Sequence, residues 1–195
     1  MNFDQKIIQD MMALFESIDV QTEKFANQTG LKCKKGCGAC CNNPNIETTV
    51  AELLPLAAHL WAEGLTQIKL EKIQSDASKN ICAFYEPDPR NPSKGRCSIY
   101  AYRPGLCRLF GFAAHHDKYG KFELVTCKII RDSQPQACQR AQEELNEGLE
   151  APLLGKYSFS VANIDPVHGK ALLPINQAIR LAIEKIGYSI QKNKQ

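Results

Sequence analysis

Apolar residues recur at three- and four-residue steps from the start of the chain: Phe3, Ile7, Ile8, Met11, Leu14, Phe15 and Ile18 form one stripe. The period predicts an amphipathic helix over residues 3–28, with Gly30 as its stop. A second apolar run follows Thr49 and reaches Trp61 before Gly64 ends it. Thr49 and Glu52 have the spacing of a capping box, so a helix N-terminus is expected there. Pro55 lies deep for a helix start and predicts a kink or a later beginning. Helices are also expected over 66–79, 135–147 and 174–191. The last has a stripe of Ile175, Ala178, Ile179, Ala182, Ile183 and Ile186, and Pro174 suits its first turn. Residues 110–128 read as a β-hairpin turning at Asp117-Lys118-Tyr119-Gly120. Residues 96–100 read as a short strand and 104–109 as a helical turn with Pro104 at its first position. PDPRNPSKG, residues 87–95, reads as a loop from its proline, asparagine and glycine content. Residues 150–172 carry no clear period.

Cysteine changes this picture. The 195 residues include nine cysteines, and four of these, Cys33, Cys37, Cys40 and Cys41, fall in KCKKGCGACCNN. Thiols this dense are the pattern of a metal site. Cys40 and Cys41 are adjacent, and one peptide step is shorter than the usual Cα separation of a disulfide. They can both ligate one metal or two neighbouring metals. Gly36 and Gly38 weaken the helical reading of this segment and predict a turn-rich loop running into a short helix. Asp4, Asp10 and Glu16 interrupt the N-terminal apolar residues, so no secretory signal is read there. No run approaches the ~18–20 apolar residues of a membrane span. The expected location is therefore cytoplasmic, where thiols stay reduced, and the odd cysteine count argues against a complete disulfide framework. A net charge of +3 and a pI near 8.3 give no argument for a membrane or nucleic-acid partner. The expected partner is a metal ion.

Cys82, Cys97, Cys107 and Cys127 are spread over loops and short elements. With the first four they make eight thiols, enough for two tetrahedral zinc sites or one polynuclear site with bridging sulfurs. Four of them would suffice for an iron–sulfur cluster. The competing reading of the later four is burial as small apolar side chains. Cys138 shares a stripe with Ala141, Leu145 and Leu149 and is expected in the core. A zinc held by four thiolates carries a charge of about −2, which Arg103 and Arg108 would offset from the surrounding shell, donating hydrogen bonds to sulfur. For both arginines the competing reading is a solvated surface charge. Lys32, Lys34 and Lys35 read as a solvated loop. The hairpin puts His115 and His116 on opposite faces, so at most one faces the cysteines. His59 and His168 have no partner motif. The fold expected is mainly α with a small β-hairpin, an irregular domain stapled by metal. Its parts are an N-terminal helix (1–29), a cysteine-cluster domain (30–130) and C-terminal helices (131–195) packed on the same domain.

CKKGCGACC, then ICAFY, then CSIYAYRPGLCRLFGF and a later TC resemble the YkgJ-type cysteine-cluster proteins, described as zinc- or iron-chelating. Residues 33–41 meet that family's Cys-x3-Cys-x2-Cys-Cys, and Cys97, Tyr100, Arg103, Pro104, Cys107 and Arg108 meet its second block. The likeness covers about residues 30–130. Ala83 departs from the pattern, standing where proline often follows the fifth cysteine, and the 86–95 loop is long. The resemblance implies a metal, zinc first with iron or an iron–sulfur cluster as the alternative, and implies no particular activity. Some larger proteins resembling the family are flagellin lysine methylases with an iron–sulfur centre. The alternative function is accordingly a cluster-dependent enzyme or redox protein related to protein lysine methylation. Cys33-x3-Cys37-x2-Cys40 also has the spacing of radical enzymes that bind S-adenosylmethionine, but here it follows a helix and the chain lacks a barrel's strand–helix alternation. No nucleophile elbow, phosphate loop, dinucleotide fingerprint or His-Glu-x-x-His is present, so no catalytic residue is assigned.

Overall fold

A computed structural model describes residues 3–34, 36–75 and 81–192. The chain is mainly helical, with small two-stranded antiparallel sheets. Helix α1 (Phe3–Thr29) buries Ile7, Met11, Phe15 and Ile18 and continues the stripe through Thr22 and Phe25. The buried hydroxyls of Thr22 and Thr29 donate back to the carbonyls of Ile18 (2.9 Å) and Phe25 (2.7 Å), so neither is left unsatisfied. The Gly30 N–H closes on the Ala26 carbonyl at 2.9 Å and ends the helix.

Helix α2 (Val50–Ala62) begins where the capping box puts it. The Glu52 N–H donates to Thr49 Oγ1 (3.3 Å) and the Thr49 N–H donates to Glu52 Oε2 (3.0 Å). These bonds fix the start ahead of Pro55, which lies inside the helix, so the later start expected from that proline does not occur. Helix α8 (Ile175–Lys192) packs along α2, and its predicted stripe is buried. Leu53, Leu54, Leu56, Ala57 and Leu60 meet Ala178, Ile179, Ala182 and Ile183 there, and Trp61 Nε1 donates to the Ile183 carbonyl at 2.9 Å. Strands β1 (Glu47–Thr48) and β6 (Leu173–Pro174) pair at the head of both helices. Helix α3 (Thr66–Ser75) adds Ile73 to this core; the rest of the helix expected to residue 79 lies outside the described residues.

The segment read as a loop folds instead as a hairpin of β2 (Tyr85–Asp88) and β3 (Asn91–Cys97), paired from Tyr85↔Cys97 to Asp88↔Asn91. The prolines serve the turn and the irregularity. Pro89 lies in the turn, the Arg90 N–H donates to Asp88 Oδ1 at 2.9 Å, and the register slips between Pro87 and Asp88. A 3₁₀ turn (Tyr100–Tyr102) leads to α4 (Gly105–Leu109), with Pro104 capping it. The second hairpin, β4 (Ala113–His116) with β5 (Phe122–Val125), turns where expected, and Asp117 Oδ1 accepts the N–H groups of Tyr119 and Lys121, both at 2.8 Å.

Helix α5 (Lys128–Ser133) was not anticipated; its six residues are too few to show a period. Helix α6 (Pro135–Asn146) packs Ala141 and Leu145 against Phe25, Leu31 and Ile130. Helix α7 (Leu154–Ile164) occupies part of the unreadable 150–172 stretch. It fully buries only Val161 and exposes Phe159, which blurs its pattern. Among the described residues no helix is long and apolar enough to cross a membrane.

Candidate metal centre

The first cysteine segment is held at both ends. Leu31 and Ile46 are buried, and the Gln134 side chain receives the Lys32 N–H (3.0 Å) and donates to the Lys32 carbonyl (2.7 Å). Between these anchors the described residues form turns and no short helix: the Cys37 N–H reaches the Lys34 carbonyl at 3.1 Å, and Cys41 and Asn42 both donate to Gly38. Gly38 has φ +60°, and a Cβ on it would lie 2.7 Å from the backbone of Gly95 in β3. Only glycine permits that approach, which lays the segment against β3.

The later cysteines are presented by separate devices. Cys82 is buried beside a backbone stretch clamped by Asn176 of α8, whose amide accepts the Ala83 N–H (2.9 Å) and donates to the Ile81 carbonyl (2.8 Å). Cys97 ends β3, Cys107 lies in α4, and Cys127 caps α5, its sulfur accepting the Ile130 N–H at 3.3 Å. Cys40, Cys41, Cys82, Cys97 and Cys107 line a small cavity of about 10 Å³, walled by Ile46, Leu53, Ile175 and Ile179. An adjoining cleft of about 860 Å³ is lined by Cys33, Cys37 and Cys127, together with Cys40, Cys41, Cys97 and Cys107. Arg103 lines both spaces. The fold therefore gathers all eight of these cysteines around two neighbouring spaces.

The thiols are not electrostatically equal. Cys41 hydrogen-bonds to Cys40 and Cys97, and this favours thiolate at the two outer sulfurs: Cys40 is lowered to about 6 and Cys97 to about 7. The same two contacts push Cys41 far up, so it keeps the proton. Burial raises Cys82 to about 11, and burial with neighbouring sulfurs raises Cys107 further. Burial also raises Cys33, helped by Cys37, Cys40 and Cys127. The Arg103 charge favours the thiolate at all four of Cys33, Cys40, Cys97 and Cys107, opposing the rise at Cys33 and Cys107 and adding to the fall at Cys40 and Cys97.

Arg103 and Arg108 differ in what they touch. The Arg103 guanidinium lies 3.8 Å over the Tyr100 ring and 3.4 Å from Asp19, and its Nε is buried without a partner. Arg108 is almost fully buried over the Phe15 ring. Its Nε donates to the Arg103 carbonyl at 2.9 Å, and its other nitrogens reach Asp19 and the Ala101 carbonyl. Those donors latch α4 to α1 rather than pointing at sulfur. Asp19 carries no motif that would have marked it in the sequence.

Glu52 was read only as a cap. It is buried and also accepts the Gly105 N–H (2.9 Å), the Thr48 hydroxyl (2.9 Å) and the Tyr157 hydroxyl. Burial and the Glu52 charge hold the Tyr157 phenol well above its ordinary range, so it stays a donor. A Cβ on Gly105 would fall 1.9 Å from the Tyr157 ring. Glu52 thus sets the start of the helix that carries Cys107. A glutamate within the apolar run after Thr49 was the available signal.

No histidine lines either space. His115 pairs with Glu123 (3.3 Å), His116 packs on Phe122, His59 stacks on Tyr102, and His168 Nδ1 is 3.0 Å from Asp165. Cys138 lines neither space and packs with the Ala141 and Leu145 cluster, where burial raises its thiol. Lys34 lines the cleft, Lys32 is exposed, and Lys35 lies outside the described residues.

The family model titled "CxxCxxCC: Putative zinc- or iron-chelating domain" matches residues 32–151, more than half of the 195. The chain belongs to this family. No curated protein and no solved structure matches it. The CxxCxxCC match takes in all nine cysteines and both arginines and leaves out α1, α7 and α8. Yet α1 supplies Asp19 and α8 supplies the Asn176 clamp, so the centre depends on helices outside the matched stretch. Among the described residues no three Cys, His, Asp or Glu side chains form a ready ligand shell around one point. The donor chemistry nonetheless fits the CxxCxxCC description: soft thiols converge, two of them are biased to thiolate, and a guanidinium lies beside them.

Proposed function

We propose that this protein binds zinc, or in the alternative iron, through Cys33, Cys37, Cys40, Cys41, Cys82, Cys97, Cys107 and Cys127. The observation that carries this reading is the convergence of those eight cysteines, from five parts of the chain, on two adjoining spaces that both include Arg103. Binding releases protons, because the ligand is the thiolate. Cys40 and Cys97 are nearest to that state, while Cys41, Cys82 and Cys107 give up their protons only as metal enters. Affinity therefore rises with pH. Arg103 offsets the charge of the loaded centre, and Arg108 holds the helix that presents Cys107. All nine cysteines are free, which suits a reducing compartment such as the cytoplasm. We read residues 30–130 as the cysteine-cluster unit, with the helix of 1–29 and the helices of 131–195 as its packing partners.

A second reading, an iron–sulfur-dependent enzyme or redox protein related to protein lysine methylation, is favoured by one feature. The cysteines border a cleft of about 860 Å³, and a purely structural site needs no such opening. Metal analysis of anaerobically purified protein, with its absorption spectrum, tests both. Zinc in a colourless protein supports the first reading, and iron with visible charge-transfer bands supports the second. A metal-free protein with eight freely titrating thiols after reconstitution with either metal overturns both.

A further inference from the structure

We infer that the eight thiols divide into two unequal compartments: an inner set, Cys41, Cys82, Cys97 and Cys107, that closes around one metal ion, and an outer set, Cys33, Cys37 and Cys127, that holds a second, exchangeable ion open to the cleft, with Cys40 lying at the boundary and counted in neither shell. The inference rests on the metal-binding reading above and adds which thiol serves which ion.

The two spaces supply the division. Cys82 lines only the small cavity, and Cys33, Cys37 and Cys127 line only the cleft. Cys40, Cys41, Cys97 and Cys107 line both, so the cavity's own set differs from the cleft's by gaining Cys82 and lacking those three. Cys40 is the common neighbour of the two groups: Cys33 feels Cys37, Cys40 and Cys127, whereas Cys107 feels Cys40, Cys82 and Cys97. The spaces differ in size by far more than one side chain. About 10 Å³ has room for a single small occupant; the walls of Ile46, Leu53, Ile175 and Ile179 are apolar, and Arg103, which also borders it, is a cation and not a metal ligand. An ion there has only thiolates as ligands. About 860 Å³ has room for solvent or a small molecule beside the outer thiols.

The supports differ as well. Cys82 is next to the Asn176 amide clamp, Cys107 is two residues from the Glu52–Gly105 bond of 2.9 Å, and Cys97 is next to Ser98, whose N–H donates to the Phe84 carbonyl at 3.0 Å. Three of the four inner ligands are thereby fixed to a packed helix or hairpin, and the fourth, Cys41, is the buried end of the turn segment. Cys33 is exposed and follows the Gln134 clamp on a run of turns. A closed shell of four thiolates exchanges slowly, while three protein ligands and an open position exchange readily. The class of ligand is the same at both, a thiophilic divalent cation. The outer position further admits a small exogenous donor from the cleft, where Arg103, Lys34 and Lys128 favour an anionic one.

The test uses the full chain, loaded anaerobically with Zn²⁺, freed of excess and challenged with a chromogenic chelator. About two zinc ions per chain should leave in separate fast and slow phases. Cys33→Ser and Cys127→Ser should abolish the fast phase and keep the slow one, so that zinc falls to about one per chain. Cys82→Ser should abolish the slow phase. Should that variant not fold, iodoacetamide mapping of the zinc-loaded wild type decides: Cys33, Cys37 and Cys127 should react first, with Cys41, Cys82, Cys97 and Cys107 protected. If the purified protein carries iron, the same experiment runs with Fe²⁺ and a ferrous chelator. A single release phase with uniform protection, or loss of all metal in Cys33→Ser, overturns the division while leaving metal binding intact. A wild type that takes up neither metal overturns the metal-binding reading itself.

Discussion

The α2–α8 pair and the cysteine pole are built on different principles. Along the helices the facing side chains are apolar and fully buried: Leu53, Leu54, Ala178 and Ala182 each expose 0% of their surface. At the pole the backbone runs through turns, hairpins and helices of five or six residues, too short to stand alone. What positions it is polar: the amides of Asn176 and Gln134, the carboxylate of Glu52 and the guanidinium of Arg108. The two regions meet where Leu53, Ile175 and Ile179 wall the small cavity. Apolar area therefore supplies stability in one region, while hydrogen-bonded clamps supply geometry in the other.

Substitutions that act on one region alone can break this contrast. The largest effect is expected in the core. Leu56→Ala should destabilise by about 2–5 kcal/mol in a urea titration, leaving metal per folded chain unchanged. Next is Arg108→Leu, which removes the nearer of the two arginines on Asp19, leaves two carbonyls without their donor and should cost about 2–4 kcal/mol. Arg103→Leu should cost only about 1 kcal/mol of stability. It should nevertheless weaken metal binding by about 10–100-fold, since Arg103 borders both spaces. Equal stability losses for the two arginines would erase the distinction between latch and counter-charge.

A smaller, pH-dependent effect joins α1 to α8. Burial alone would raise the Asp4 pKa, but hydrogen bonds from Ser189 and Lys185 and the Lys185 charge hold it below its usual 3.8. A carboxylate with a depressed folded pKa contributes fully above the unfolded value and loses that contribution as pH falls through the folded one. Stability curves of wild type and Asp4→Asn should thus differ at neutral pH and converge in acid. A constant gap down to about pH 2 would contradict this.

The long periods of α1, α2 and α8 were legible because each runs for several turns against one core. The capping box at Thr49 and Glu52 and the turn at Asp117 were legible because they are local chemistry. The β2–β3 hairpin was not: Pro87, Pro89 and Pro92 look like loop composition, and only the pairing of Tyr85 with Cys97 shows that they punctuate strands. In the site, motif order marked which cysteines to gather and set Cys138 apart. It could not separate Arg103 from Arg108, since one motif contains both. Both reach Asp19, 84 and 89 residues away in sequence, and their difference comes from the rest of the fold: Phe15 and two carbonyls enclose Arg108, while Arg103 lies on Tyr100 beside both spaces. The second role of Glu52 was hidden for the same reason, as Gly105 and Tyr157 are 53 and 105 residues distant.

Metal per chain in Cys107→Ala and Cys138→Ala, purified side by side under anaerobic conditions, tests the central claim most directly. Cys107 borders both cysteine-lined spaces, whereas Cys138 lines neither and packs on the apolar cluster of Ala141 and Leu145. The account predicts that Cys107→Ala loses metal, while Cys138→Ala keeps the wild-type content and loses about 1 kcal/mol of stability or less. Loss of metal from Cys138→Ala with full retention in Cys107→Ala would contradict it.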